Sequence, residues 1–491
     1  MGWRGLARRG PLALTAASTL VLALLIGTGC RRQPASPLSE SDRGPIVLVT
    51  CDGLRADVVG ALGGEKGLTP NFDRLAAGAD WAGRAVAPSS WTVPSMASLW
   101  TGLRPWQHQA IDAERPALSW DLLTLPEALK AAGYRTRGFS SGPWLTPRFG
   151  YGRGFDELTA LGDGDAAVAR LEHLTGGREL VWIHLPEPHV PWVRRPWLRD
   201  ALPDALQREL PGGLPRSADA DDLAEFADPA RPLAGEDRES YRALYLLSVV
   251  WADMRLGLLL DALKASGQWG RTLLVVTSAE GEALGEDGRV LTGGGLGREL
   301  IEVPLAIKLP AGTARRIAVP RGARPATQRL FATLLEAAGM ETAPAVAPSL
   351  FRSSAGGAAP VLSELYLSGG ANRVSLLDGD DQLLRETRFA APTREVYRAS
   401  FESMTRPLRP PFAPPAGLAR LAAAFDAARP LSGGAVSLSL RRWEGRAGSR
   451  PLADAARQVA LAARLEAAWR SFLPEESTPA DEARERSLPP R

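Results

Sequence analysis

The sequence predicts an α/β protein built on a largely parallel sheet, with a small second sheet toward the C-terminus. Short β-type runs recur along the chain at Ile46–Cys51, Glu179–His184, Thr272–Ser278 and Val303–Lys308. Helical patterns fall between and after them, which is how a sheet with crossover helices reads. The clearest is Tyr241–Ser266, where Leu244, Leu247, Val250, Met254, Leu258 and Leu263 recur at helical spacing, and Ala326–Ala338 repeats the pattern with Leu330, Leu334 and Leu335. The chain of 491 residues, 45% hydrophobic and 23% charged, is long enough to bury a sizeable core. That composition excludes wholesale disorder and a polytopic membrane protein.

The N-terminus reads as an export signal. Arg4, Arg8 and Arg9 precede an uncharged, largely apolar run from Leu12 to Ile26, followed by Gly27-Thr28-Gly29-Cys30. A basic start, a short apolar core and small residues form a secretory leader, and the run is short for a spanning helix, which needs roughly 20 residues. Cys30 directly after small residues resembles a bacterial lipoprotein signal, with Cys30 as the lipidated residue, although Gly27 stands where that signal usually has Leu. An ordinary signal peptide and an uncleaved anchor remain open. Residues 1–30 are thus expected to be leader and 31–44 a tether. The mature body then keeps one thiol, Cys51, at the end of an apolar run, so no internal disulfide is expected and the thiol reads as a small buried hydrophobe.

Residues 45–345 read as the main domain, with an acidic segment at about 198–240, rich in Pro, Gly and Asp, as a surface insertion. Short runs at Val361–Leu365, Val374–Leu377 and Gln382–Arg385 predict a small sheet within 346–405. From 406 to 491, Pro-rich stretches surround one amphipathic helix, Ala453–Phe472, and end in a tail read as disordered. That helix either packs on the body or recruits a partner.

Charge and histidine count narrow the functional classes. The net charge of +3, with only four lysines (Lys66, Lys130, Lys264, Lys308), makes no case for a nucleic-acid partner. The four histidines are His108, His173, His184 and His189, so no histidine can act from beyond residue 189.

The chemistry concentrates between Ile46 and His108. A buried strand delivers Asp52 at its C-terminal end, the edge where open α/β sheets place ligands. Thr69-Pro70-Asn71-Phe72-Asp73 has the pattern of a helix start. In Ser90-Trp91-Thr92-Val93-Pro94-Ser95 a second helix begins and Gly102 ends it. Thr92 then sits where unpaired N–H groups and the helix dipole favour an anion. It reads either as a simple helix cap or as a hydroxyl facing a sulfate or phosphate ester.

In wording as well as order, these segments resemble the sulfatase family of the alkaline phosphatase superfamily. The carrying residues are Ile46 through Asp57 with Asp52 at the strand end, Thr69 through Ala76, and Trp91-Thr92-Val93-Pro94-Ser95 through Leu99-Trp100-Thr101-Gly102. Pro188-His189-Val190-Pro191, Ser278-Ala279-Glu280-Gly281-Glu282 and Glu302-Val303-Pro304-Leu305 follow in the family's order. The resemblance implies an α/β/α sandwich around a mostly parallel sheet with a smaller C-terminal sheet. It implies hydrolysis of a sulfate or phosphate ester with a divalent cation, Ca²⁺ or Mg²⁺, on Asp52 and Glu280. Thr92 takes the nucleophile's place and His189 the substrate oxygens.

The motifs depart from the family at several positions. Gly53 and Ala279 stand where the family often has ligating aspartates, and Met96 where it has an arginine. Phe139-Ser140-Ser141-Gly142-Pro143-Trp144 offers neither of the substrate-gripping Lys and His expected near 139–144, and Thr292-Gly293 stands near a family His-Gly. True sulfatases mature a Cys or Ser to formylglycine. Thr92 is a secondary alcohol and cannot give that aldehyde, so no formylglycine is expected. Three functional readings follow: a metal-dependent ester hydrolase, a pseudoenzyme holding an anionic envelope ligand or a partner protein, and a phosphoryl or phosphoglycerol transferase using Thr92. The expected setting is the cell envelope, attached through an N-terminal lipid or anchor or free in the periplasm. The sequence gives no sign of the oligomeric state.

Overall fold

The computed structural model describes residues 38–40, 43–111, 115–162, 164–209, 214–224, 226, 232–314, 316–342, 346–352, 361–367, 371–388, 436–443 and 449–470, within one unit, Pro37–Arg491. The leader with Cys30, the tether as far as 37, the Pro-rich 406–416 stretch and the last fifteen residues lie outside them. The main sheet has seven strands: β1 Ile46–Asp52, β2 Trp81–Val86, β3 Arg135–Ser140, β4 Glu157–Thr159, β5 Glu179–Pro188, β6 Leu273–Ser278 and β7 Glu302–Lys308, in the order β2-β7-β6-β1-β5-β3-β4. Strand β1 pairs parallel with β5 and β6, and β3 pairs parallel with β4 and β5. Strand β7 runs antiparallel to both its neighbours, β2 and β6.

The two-residue period of the strands sorts their side chains into two layers. Val47, Val49, Cys51, Val181, Ile183 and Val276 face one core, covered by α1 (Pro70–Gly78), α4 (Asp165–Glu172) and α5 (Gly235–Ala265). Ile46, Leu48, Leu180, Trp182, Leu273 and Val275 face the other, covered by α2 (Thr92–Thr101), α3 (Leu125–Ala131) and α6 (Arg329–Ala337). This is the α/β/α sandwich the sequence predicts. Helix α5 is long and apolar enough to cross a membrane, but its apolar stretch is mostly buried inside the fold, so the core accounts for its composition.

Two parts differ from expectation. Within 198–240, short turns and helices plant Leu198, Leu202, Leu206, Leu223, Phe226 and Leu233 in the α5-side core. The segment is therefore a docked cover rather than a purely surface insertion. Its acidic, Asp- and Pro-containing composition hid widely spaced apolar anchors. The small sheet also runs further than residue 405. Strands β8 Val361–Leu367, β9 Ala371–Asp378 and β10 Asp381–Arg388 are joined by β11 Val436–Trp443 and β12 Ser449–Pro451, all antiparallel. Small and polar residues around β11 masked a strand that is defined by its pairing with β10. Helix α7 (Ala455–Arg470) closes this sheet, its Leu461 and Leu465 packing on Leu362, Leu376, Leu383 and Leu440. It therefore packs on the body.

Candidate functional site

The site is assembled where β1, β5 and β6 end together. Strand β1 delivers Asp52, and its register against β5 shifts between Cys51 and Asp52. Gly53 then takes a left-handed conformation at φ 77°, which favours glycine. This turn is held from three sides. Tyr245 of α5 donates its hydroxyl to Gly53 O at 2.9 Å, Leu54 N donates to Ser278 Oγ at 3.0 Å, and His189 N donates to Asp52 O at 2.8 Å. The last bond brings the end of β5 against the end of β1.

After β6, the loop 278–282 carries two acids. Gly281 is required here: a Cβ at that position would stand 2.0 Å from Glu299 O, while its own N–H bonds Leu300 O at 2.8 Å. With the loop pressed against the chain in this way, Glu280 and Glu282 are both fully buried. Arg55 makes no side-chain bond with their carboxylates. Its guanidinium is taken up by Asp57 (2.9 and 2.7 Å) and Glu286 (2.8 Å) and reaches Glu282 only at its backbone carbonyl, 3.1 Å away.

Helix α2 supplies the hydroxyl. Thr92 is its first residue, after Trp91 in an extended conformation, and Gly102 closes it in a left-handed one. The Thr92 hydroxyl makes no capping bond. It lies 2.9 Å from Asp52 Oδ1 and 3.0 Å from Glu280 Oε1. One proton cannot serve both, so Thr92 donates to one carboxyl while the other, when protonated, donates back. Burial raises both acids. Asp52 nevertheless stays below the usual carboxylate range because Glu280, beside it at Thr92, and the His184 ring, 3.5 Å away, favour its charged form. Glu280 is pushed well above that range by burial and by the neighbouring Asp52 charge. The two acids are thus driven apart, Asp52 toward its charged form and Glu280 toward its neutral one.

Of the sequence-predicted residues, Asp52, Thr92 and Glu280 meet side chain to side chain. His189 sits beside them, joined to Asp52 through the backbone. Its Nδ1 donates to Val190 O at 2.8 Å and its Nε2 lies 3.5 Å from Thr292 Oγ1. Burial opposes its charge, but the Glu282 and Asp52 carboxylates overcome this and hold its proton above the usual histidine range.

Two residues of the site were not singled out from sequence. His184 on β5 pairs across the sheet with Thr50, accepts or donates at Nδ1 to Thr50 Oγ1 at 2.9 Å, and sets Nε2 3.5 Å from Asp52 Oδ2. A histidine directly opposite the residue two before Asp52 was the available signal. Glu282 lies in the quoted motif, yet its placement is spatial: its Oε2 is 3.4 Å from where a Gly53 Cβ would be. Burial, above all, raises its carboxyl to about 7, with His189 lowering and Asp52 raising it.

The divalent cation implied by the resemblance is not matched by this donor set. Two carboxylates converge, Asp52 and Glu280, while Gly53 and Ala279 bring no ligating atom. Among the described residues no three His, Cys, Asp or Glu side chains form a group able to hold a metal ion. A hard cation takes about six to eight oxygens with calcium, and near-ideal octahedral geometry with magnesium. The residues present do not build such a cage.

A 2-O GAG sulfatase structure superposes with a TM-score of 0.60 at 16% identity, covering 91% of this chain and 94% of its own. The phosphonate monoester hydrolase of Silicibacter pomeroyi gives 0.57 at 19%, covering 90% and 96%. That of Agrobacterium radiobacter gives 0.52 at 18%, covering 74% and 96%. At these identities the likeness is one of fold. No curated protein sequence matches the chain. The sulfatase family model, however, matches residues 45–175 and 164–340. Since that span runs from the start of β1 through α6 and contains every side chain gathered around Thr92, the chain belongs to the sulfatase family.

Proposed function

We propose that this sulfatase-family protein holds a ligand at the Thr92 edge and turns over sulfate or phosphate esters weakly or not at all. One observation carries the reading. The hydroxyl in the nucleophile's place is shared between two buried carboxyls, without a metal cage behind it. An ester anion brought within reach of Thr92 meets the ionised Asp52 first. A cation at such a centre contributes several kcal/mol by withdrawing charge and activating the nucleophile. At 1.36 kcal/mol per tenfold, losing about 4 kcal/mol slows the reaction roughly a thousandfold. The test is hydrolysis of 4-nitrophenyl sulfate and phosphate by the full chain, with Ca²⁺, Mg²⁺, Mn²⁺ or Zn²⁺ added. The expected outcome is a rate near the uncatalysed one that Thr92→Ala leaves unchanged.

A second reading has its own support. The 2.9 Å contact from Thr92 to Asp52 orients the hydroxyl for attack, and in this reading His189 serves the leaving oxygen. A rate abolished by Thr92→Ala and by Asp52→Asn decides for hydrolysis, or for transfer if an acceptor alcohol captures the product. We further propose export and acylation of Cys30. Labelling cells with an alkyne fatty acid should mark the chain and fail to mark Cys30→Ala; equal labelling of both sinks that assignment.

A further inference from the structure

We propose that the outer face of α5, together with the segment 193–200 that packs beside it, docks on a lipid bilayer. This rests on the reading of the N-terminus as a membrane attachment, and it names the face of the body that meets the membrane.

Among the described residues eight large apolar side chains are exposed, and four of them, Val193, Trp197, Met254 and Leu258, belong to this one face. Trp251, Met254 and Leu258 follow one another at helical spacing on α5. Trp197 is 51% exposed and Leu258 59%. Trp197 meets Trp251 edge to face at 5.6 Å, and the Arg195 guanidinium lies over the Trp251 ring at 4.8 Å. The face is held from beneath. Trp251 Nε1 donates to Glu187 Oε1 at 3.1 Å, and Arg255 donates to Glu187 Oε2 at 2.8 Å. The single donor of the Trp251 indole is thereby used, so what this face offers outward is apolar and aromatic.

A bilayer suits this surface. Tryptophan takes the headgroup level, aliphatic side chains enter the acyl boundary, and arginine lays its stem along apolar surface with the charge among the headgroups. Residues 193–200 carry Arg194, Arg195 and Arg199 against one acid, Asp200. Asp261, next along α5, is paired with Lys264 at 3.4 Å. That balance favours anionic lipid. The chain also enters the body close to this element. A Cβ on Gly44 would stand 2.6 Å from Arg271 O, and Leu273 N donates to Pro45 O at 2.9 Å. Arg271 ends the short turn that follows α5. Ahead of Leu38 lie the apolar run Leu12–Ile26 and Cys30. Cys30 is eight residues from Leu38, a reach of at most about 29 Å, so a membrane holding Cys30 stays within range of the body.

The test places the full chain on vesicles of phosphatidylethanolamine and phosphatidylglycerol that contain a lipid with a diazirine in its acyl chain. After irradiation, crosslinked peptides are mapped by mass spectrometry. Crosslinks are expected within 193–197 and 251–258 as well as ahead of Leu38. Leu258→Glu, at an exposed position outside the core, should lower the crosslinks in both segments about tenfold and leave those ahead of Leu38 unchanged. Trp197→Ser carries the test if circular dichroism shows Leu258→Glu to be misfolded. Crosslinks confined to the residues ahead of Leu38 overturn the proposal, as do crosslinks on α5 that neither variant lowers. Leu258→Cys giving disulfide-linked dimers through position 258, in place of lipid crosslinks, assigns the face to a second copy and overturns it too. The Cys30 labelling separates the two levels. An unlabelled Cys30 with crosslinks on α5 removes only the acylation, and a labelled Cys30 without them removes only the docked face.

Discussion

Glu282 shows how far a single residue can depart from its usual behaviour in this site. Its carboxyl is raised from 4.5 to about 7, chiefly by burial. The folded state therefore keeps a proton that the unfolded chain releases. The associated stability is complete below about pH 4.5 and is lost as pH rises through 7, by on the order of 3 kcal/mol at 1.36 kcal/mol per pH unit. Glu282→Gln removes that dependence. Urea unfolding of both proteins should show the variant gaining on the native chain between pH 5 and 8, and parallel curves across that range would refute it. At this scale the sequence was legible where a residue ends an element. Asp52 and Thr92 could be placed because one closes a strand and the other opens a helix. His184 and Glu282 could not. The first depends on cross-strand register, and the second on the space left by a glycine 229 positions earlier in the chain.

Among the elements, the loop after β6 is the most constrained. A Cβ at Gly281 would stand 2.0 Å from Glu299 O, a backbone atom that cannot swing aside. Gly281→Ala must therefore displace either the loop or the first turn of the Arg298–Ile301 helix. A loss of about 3 kcal/mol is expected, and thermal unfolding measures it. An unchanged midpoint would mean that the loop yields freely, and that Glu280 is not held on Thr92 by backbone packing. Strands β1, β5, β6 and β7 and the long helices were legible because burial on both faces imposes unbroken apolar runs and helical spacing imposes itself over many turns. Strands β2, β3 and β4 were not, since arginines and a glutamate interrupt them (Arg84, Arg135, Arg137, Glu157), nor was β11, whose identity comes from the β10 edge rather than from its own composition.

For the whole molecule, the small sheet and the sandwich are joined by a buried ion pair. Arg104, just before the short Pro105–His108 helix, bonds Glu364 of β8, and Glu364 also accepts from Trp106 N at 3.2 Å and Tyr366 Oη at 2.9 Å. Removing one partner leaves a buried charge exposed to low dielectric. Arg104→Met should cost about 3–5 kcal/mol, read as a lower unfolding midpoint. Rescue by Arg104→Met with Glu364→Leu would show that the penalty lies in the orphaned charge. A midpoint unmoved by Arg104→Met would show that the two sheets do not depend on this pair.

The sheet order has one further consequence. Strand β2 bonds within the sheet to β7, and the two lie more than two hundred residues apart in the sequence. While residues 302–308 are still unsynthesised, β2 has no neighbour to join and the β6 edge stays open. The five strands β6-β1-β5-β3-β4 can pair once residue 278 has emerged, but one edge and one covering layer stay unfinished until β7 and then α6 follow. The last-made part of the main domain thus closes what the first-made part began.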